Sequence, residues 1–175
     1  MSSRWDEQIQ QYEQPPAPIS EFITSPLYLN LKEQVYPGVL QTVQAIFGDN
    51  YNEAVLCWGI GAGKSFLSSI SIAYMLHRAL CLRDPQAHFG LAPGSTIAFM
   101  NMAPSAQQAQ RVVFTEIRNR IRNSPWFHSD FAQCEALKTE LRFPKNIVVV
   151  PGCSAETFPL GYNILGAVVD EAAWF

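Results

Sequence analysis

The sequence predicts an α/β fold, a parallel sheet flanked by helices, on three observations. Short apolar runs alternate with stretches of helical periodicity. A glycine-rich loop stands between the first such run and the first long helix. The last run, LGAVV (residues 165–169), ends in an acidic pair, Asp170-Glu171. A chain of 175 residues holds one domain of ordinary size and a tail. Its 48% hydrophobic residues against 15% charged ones exclude disorder over most of the length, because there is enough apolar surface to offset chain entropy.

In chain order, residues 1–20 are polar and carry Pro15, Pro16 and Pro18, which predicts a mobile tail. Residues 21–50 form an N-terminal helical segment. Apolar positions at mixed helical spacing over 25–47, broken by Pro37-Gly38, predict two short helices there, the second over 39–47 and ended by Gly48-Asp49-Asn50. The core then occupies 51–175. Residues 53–58 (EAVLCW) form a short apolar run between turn residues, as a buried parallel strand would. A mostly apolar helix follows over 64–82, then a loop over 84–94 and a second strand over 96–101. The next helix, 105–122, sets Ala106, Ala109, Val113, Ile117 and Ile121 at spacings of three and four, one buried stripe. Residues 139–143 and 146–150 read as a hairpin around Pro144-Lys145, and the last strand is 165–169.

Composition narrows the function. The net charge is -3, so any nucleic-acid contact must come from a local basic patch. No apolar run reaches the ~18 residues that span a bilayer. The start lacks the apolar core of a secretory signal, which predicts a cytosolic protein with no membrane partner. Cys57, Cys81, Cys134 and Cys153 form no CxxC pair, and His77, His88 and His128 form no metal-ligand cluster with acids.

The chemistry begins at Trp58-Gly59-Ile60-Gly61-Ala62-Gly63-Lys64-Ser65. This matches the phosphate-binding pattern GxxxxGK[ST] with Trp58 in the first glycine position. Gly59, Gly61 and Gly63, with Ile60 and Ala62 between them, let backbone N–H groups curl into an anion-binding nest. The helix that follows points its positive N-terminus at the same phosphates. Lys64 is a point charge for the β- and γ-phosphates, and the Ser65 hydroxyl is a Mg²⁺ ligand. At the far end, Asp170 supplies the carboxylate for the metal, through water or together with Ser65. Glu171, one residue on, is placed to orient and deprotonate an attacking water. Two adjacent carboxylates point to hydrolysis, and the lack of an NKxD-like motif favours ATP over GTP.

Residues 36–175 resemble the ATPase domain of the large terminase subunit, the DNA-packaging motor of tailed double-stranded DNA phages. The resemblance rests on GIGAGKS, on GSTIAFMNMAPSAQQAQRVVFTEI, on SPWF and on GYNILGAVVDEAAWF. It implies a RecA-like P-loop NTPase with ATP and Mg²⁺ as cofactors, and as partners double-stranded DNA, a portal protein, a small terminase subunit and a homo-oligomeric ring. It also implies the cytoplasm of a bacterial host. In that family a Gln in the N-terminal helical region contacts adenine. Gln41 and Gln44 stand there, and exposed helix glutamines account for them equally well. Two departures stand out. The P-loop arginine of many terminases is missing, since its inner positions are Gly59, Ile60, Gly61 and Ala62. Family proteins also continue with further strands, a coupling motif and a nuclease domain, so the resemblance implies an N-terminal part of a larger protein with an incomplete sheet.

Two rivals remain. A helicase-type translocase would carry DExH or DExD where this chain has Asp170-Glu171-Ala172-Ala173. A non-catalytic interaction module would have a damaged site, whereas Lys64, Ser65, Asp170 and Glu171 are intact. Finally, Arg111, Arg118 and Arg122, at spacings of seven and four, predict a basic helix face for DNA or a neighbouring subunit, or simply a solvated face.

Overall fold

The computed structural model describes residues 11–48, 51–59, 61–153 and 162–172. Among these residues the sheet has five strands: β1 (Ile97–Ala103), β2 (Glu135–Ala136), β3 (Leu141–Phe143), β4 (Ile147–Cys153) and β5 (Asn163–Val169), in the order β2-β3-β4-β1-β5. The central trio β4-β1-β5 is parallel, and β2-β3-β4 is antiparallel. The sheet is therefore mixed: the expected parallel strands form its centre, and the hairpin read from the sequence supplies the antiparallel flank β3–β4. The turn of that hairpin holds Lys145 and Asn146 at φ 61° and 53°, the left-handed pair whose twist matches the flanking strands. β1 is buried on both faces, which is why IAFMNMA reads as a nearly unbroken apolar run.

Among the described residues the α-helices are α1 (Ile19–Thr24), α2 (Pro37–Gly48), α3 (Lys64–Cys81), α4 (Pro85–His88), α5 (Ala106–Gln108) and α6 (Phe114–Asn123). α3 lies on one sheet face with α6 beside it, and the main core fills the space between them. A smaller cluster, Ala98, Met100, Val148 and Val150, occupies the opposite face. A single π-helical turn, Ala109–Val113, joins α5 to α6. Fully buried Asn101 on β1 donates from Nδ2 to the Ala109 carbonyl (3.4 Å), so the strand answers a backbone group of the widened turn. The π turn also revises the predicted stripe: Ala109, Val113, Ile117 and Ile121 are buried, whereas Ala106 is exposed.

Three further expectations are corrected. The tail expected up to residue 20 is packed from Gln11 onward: Arg83 N–H donates to the Gln11 carbonyl and Glu13 N–H to the Cys81 carbonyl (both 2.9 Å). Ala17 N–H donates to His77 Nε2 (3.0 Å), and Tyr74 Oη donates to the Ala17 carbonyl (3.0 Å). The helix α1 begins directly after Pro18, while residues 25–36 form turns. Most consequentially, residues 53–58 make no strand. Val55 is 78% exposed, and no strand of the described sheet pairs with the segment. An apolar run becomes a strand only when another strand takes its N–H and C=O groups.

Candidate nucleotide-binding site

Residues 58–65 lead from this irregular segment into α3. Trp58 packs against the core, while Gly59, Gly61 and Ala62 are exposed. Gly61 and Gly63 stand at φ +78° and +89°, left-handed backbone that glycine adopts without steric cost, and Gly63 is the N-cap of α3. A Cβ on Gly63 would also come within 3.4 Å of Val39 Cγ2, so α2 lies directly beside the loop. Ile60 falls outside the described residues. Lys64 and Ser65 open α3, where the first-turn N–H groups have no intrahelical partner and favour an anion.

β5 brings the acidic pair to the same place. A bulge shifts its register between Ala98↔Ile164 and Phe99↔Gly166. A Cβ at Gly166 would lie 2.7 Å from Met75 Sδ and 3.1 Å from the Phe99 ring, so glycine is what lets α3 settle on β5. The Asp170 N–H extends the ladder by donating to the Met102 carbonyl (2.9 Å), and Asp170 is nearly buried. Glu171 follows at φ +55°, with a carboxylate oxygen 3.4 Å from Lys64 Nζ. Lys64 Nζ also donates to the Trp58 carbonyl (3.3 Å). The two motifs, far apart in sequence, thus meet in space.

The donor chemistry suits magnesium. Among the described residues no group of three or more His, Cys, Asp or Glu forms a metal cage. A hydroxyl on Ser65 and a carboxylate on Asp170 are hard oxygen donors. They suit an ion that keeps several waters, takes one or two protein ligands and neutralises phosphate charge when bound.

Other predicted residues are placed as follows. Gln41 and Gln44 are exposed on α2, the helix whose Val39 neighbours Gly63. The predicted arginine face is divided. Arg111 and Arg122 are exposed, but Arg118 donates to the carbonyls of Leu137 (2.7 Å) and Lys138 (3.1 Å) and lies over Phe114. The π turn explains why: its extra residue breaks the helical phase between Arg111 and Arg118. Arg120 stacks on Phe66 at 4.2 Å and donates to Ser69 Oγ at 3.3 Å, clamping the first turns of α3. Burial pushes the Cys81 thiol up to about 12 and that of Cys134 up to about 11, so neither is a nucleophile at neutral pH. The sequence reading missed Gly166, Asn101 and Arg120 as parts of this architecture. Only Asn101, a lone amide in an apolar strand, carried a signal of its own.

A glycine-rich turn feeding a helix N-terminus, a lysine and serine at its start, and an acidic pair at the end of a neighbouring strand define a P-loop domain, a nucleotide-binding class of α/β fold. Over residues 2–175 the chain matches the family described as "Uncharacterized protein MJ0330, N-terminal P-loop domain", and it belongs to that family. No curated protein and no solved structure matches it. Among the described residues no helix is long and apolar enough to cross a membrane.

Proposed function

We propose that the protein binds ATP with Mg²⁺ and hydrolyses it, acting as the ATPase motor of a terminase-type DNA-packaging machine. The observation that carries the hydrolase reading is the approach of Glu171 to Lys64 at 3.4 Å, which unites the glycine-rich loop with the acidic strand end. Lys64 holds the β- and γ-phosphates, Ser65 and Asp170 hold the metal, and Glu171 orients the attacking water and takes its proton. Gln41, on the helix beside the loop, contacts adenine. Supporting the packaging role is the order of motifs, above all GYNILGAVVDEAAWF, in which a glycine-bearing loop runs into an apolar strand and DEAA. In this reading the partners are double-stranded DNA, a portal protein, a small terminase subunit and further copies in a ring, in the cytoplasm of a bacterial host.

Steady-state ATPase and nucleotide-binding assays test the reading. Lys64→Ala removes the loop's side-chain cation and should weaken both affinity and turnover. Glu171→Gln keeps shape but loses the base, so turnover should fall about 10²-fold or more while binding persists. Stimulation of turnover by double-stranded DNA is the expected packaging signature. Stimulation by single strands alone would assign a helicase-type translocase instead, and wild-type turnover in Glu171→Gln would remove the assigned base.

A further inference from the structure

We infer that Glu171 has a second role: it is the internal counter-ion of Lys64, and a nucleotide phosphate must displace it to take the lysine. This deepens the ATP-binding reading above and rests on it. Three observations meet at one point. The Glu171 carboxylate lies 3.4 Å from Lys64 Nζ, both side chains being only partly exposed at 38% and 29%. Lys64 Nζ is also tethered to the Trp58 carbonyl at 3.3 Å, so the ammonium is folded back over its own loop. And Glu171 sits at φ +55°, a backbone state that a long side chain adopts only where its surroundings hold it.

The residues on both sides of the pair explain why it forms. Gly63, left-handed at the N-cap, starts α3 at Lys64 and so fixes where the lysine side chain originates. Asp170, one residue before Glu171, is pinned by its N–H to Met102, which fixes the other origin. A phosphate arriving at the loop offers Lys64 a stronger anion, and the released Glu171 carboxylate is then free to orient water. Admission of the nucleotide and arming of the base become one event. Such a pair also lowers affinity for any anion that reaches Lys64, which gives a readout independent of hydrolysis.

The experiment is titration of the purified protein with ADP in EDTA, where no metal and no hydrolysis contribute. Glu171→Gln should bind ADP about 3- to 5-fold more tightly than wild type in low salt, the scale of a partly exposed ion pair. That gap should close by about 0.5 M salt, because screening already weakens the pair in wild type. Glu171→Asp keeps the charge but shortens its reach, so it should share most of the gain. Equal or weaker ADP binding by Glu171→Gln would overturn the inference. So would a gain in Glu171→Gln with none in Glu171→Asp, since a through-space field would then suffice. If wild type and both variants fold, by circular dichroism, yet none binds ADP, the nucleotide-binding reading itself fails and takes the inference with it.

Discussion

The two ends of α3 differ in kind. At its start, Lys64 and Ser65 are partly exposed, and the lysine's partners are a carboxylate and a loop carbonyl that an anion can replace. At its far end, Tyr74, His77 and Cys81 are buried. His77 stacks on Phe22 (4.8 Å), meets Trp126 edge-on (4.3 Å) and accepts the Ala17 N–H. Lys145 closes that end by donating to the Leu80 (2.8 Å) and Leu82 (2.6 Å) carbonyls and pairing with Glu13. One helix is thus anchored at its tail while its head stays partly exposed. Under the function proposed here, chemistry and stability lie at opposite ends of one element.

The largest effect that could break this division lies at the anchored end. Burial pushes the His77 imidazole down to about 3, far below the 6.5 it has when exposed. Above 6.5 both folded and unfolded chains carry it neutral, and its stabilisation is complete. As pH falls from 6.5 towards 3 only the unfolded chain takes up the proton, so stability is lost over that window, by up to about 5 kcal/mol. His77→Gln keeps an acceptor for the Ala17 N–H without titrating there. Urea denaturation at pH 8, 6 and 4.5 should therefore show a shallower loss in the variant than in wild type. Parallel pH profiles would place the acid sensitivity elsewhere.

A second test joins the two ends. Gly166→Val would drive a branched side chain into Met75 and Phe99, at a cost of about 2 kcal/mol. Gly166→Ala should cost less, because the Met75 thioether can swing aside. If the seat of α3 on β5 sets the site, nucleotide affinity measured calorimetrically should fall with the size of the substituent. Stability that falls alone would show that the head of α3 is held by other contacts.

The smallest effects concern the arginines. Arg118→Ala, which frees two carbonyls and uncovers Phe114, should lower thermal stability by about 1 kcal/mol. Arg111→Ala and Arg122→Ala, both exposed, should stay within about 0.5 kcal/mol. A DNA-affinity defect confined to Arg111 and Arg122 would mark them as phosphate contacts, and equal stability loss in all three would contradict the division of that face.

What the sequence revealed was what is encoded locally. The spacing from Gly59 to Ser65 and the acidic pair after an apolar run each sit within a few residues, and the fold places Lys64 and Glu171 3.4 Å apart. The missed features depend on distant partners. EAVLCW has the composition of a strand, yet strand formation is decided by a neighbour that the run itself cannot specify. Prolines made residues 11–18 look like a tail, although Ala17 is held by a histidine sixty residues on. Arg118 is committed to two carbonyls that lie beyond its own helix.

The π turn has a consequence for how this chain tolerates changes in length. A helix with one residue more than its α geometry needs can lose that residue without losing its footing. Deleting Val112, which is 44% exposed, would return the stretch to regular α pitch with Phe114, Ile117 and Ile121 still on the core. Everything upstream would rotate by about 100°, carrying Arg111 and the end of α5 to a new bearing and taking the Ala109 carbonyl from Asn101. A single-codon deletion at this turn therefore re-aims the upstream face while Phe114, Ile117 and Ile121 keep their places, at the cost of moving buried Ala109 and taking a partner from buried Asn101.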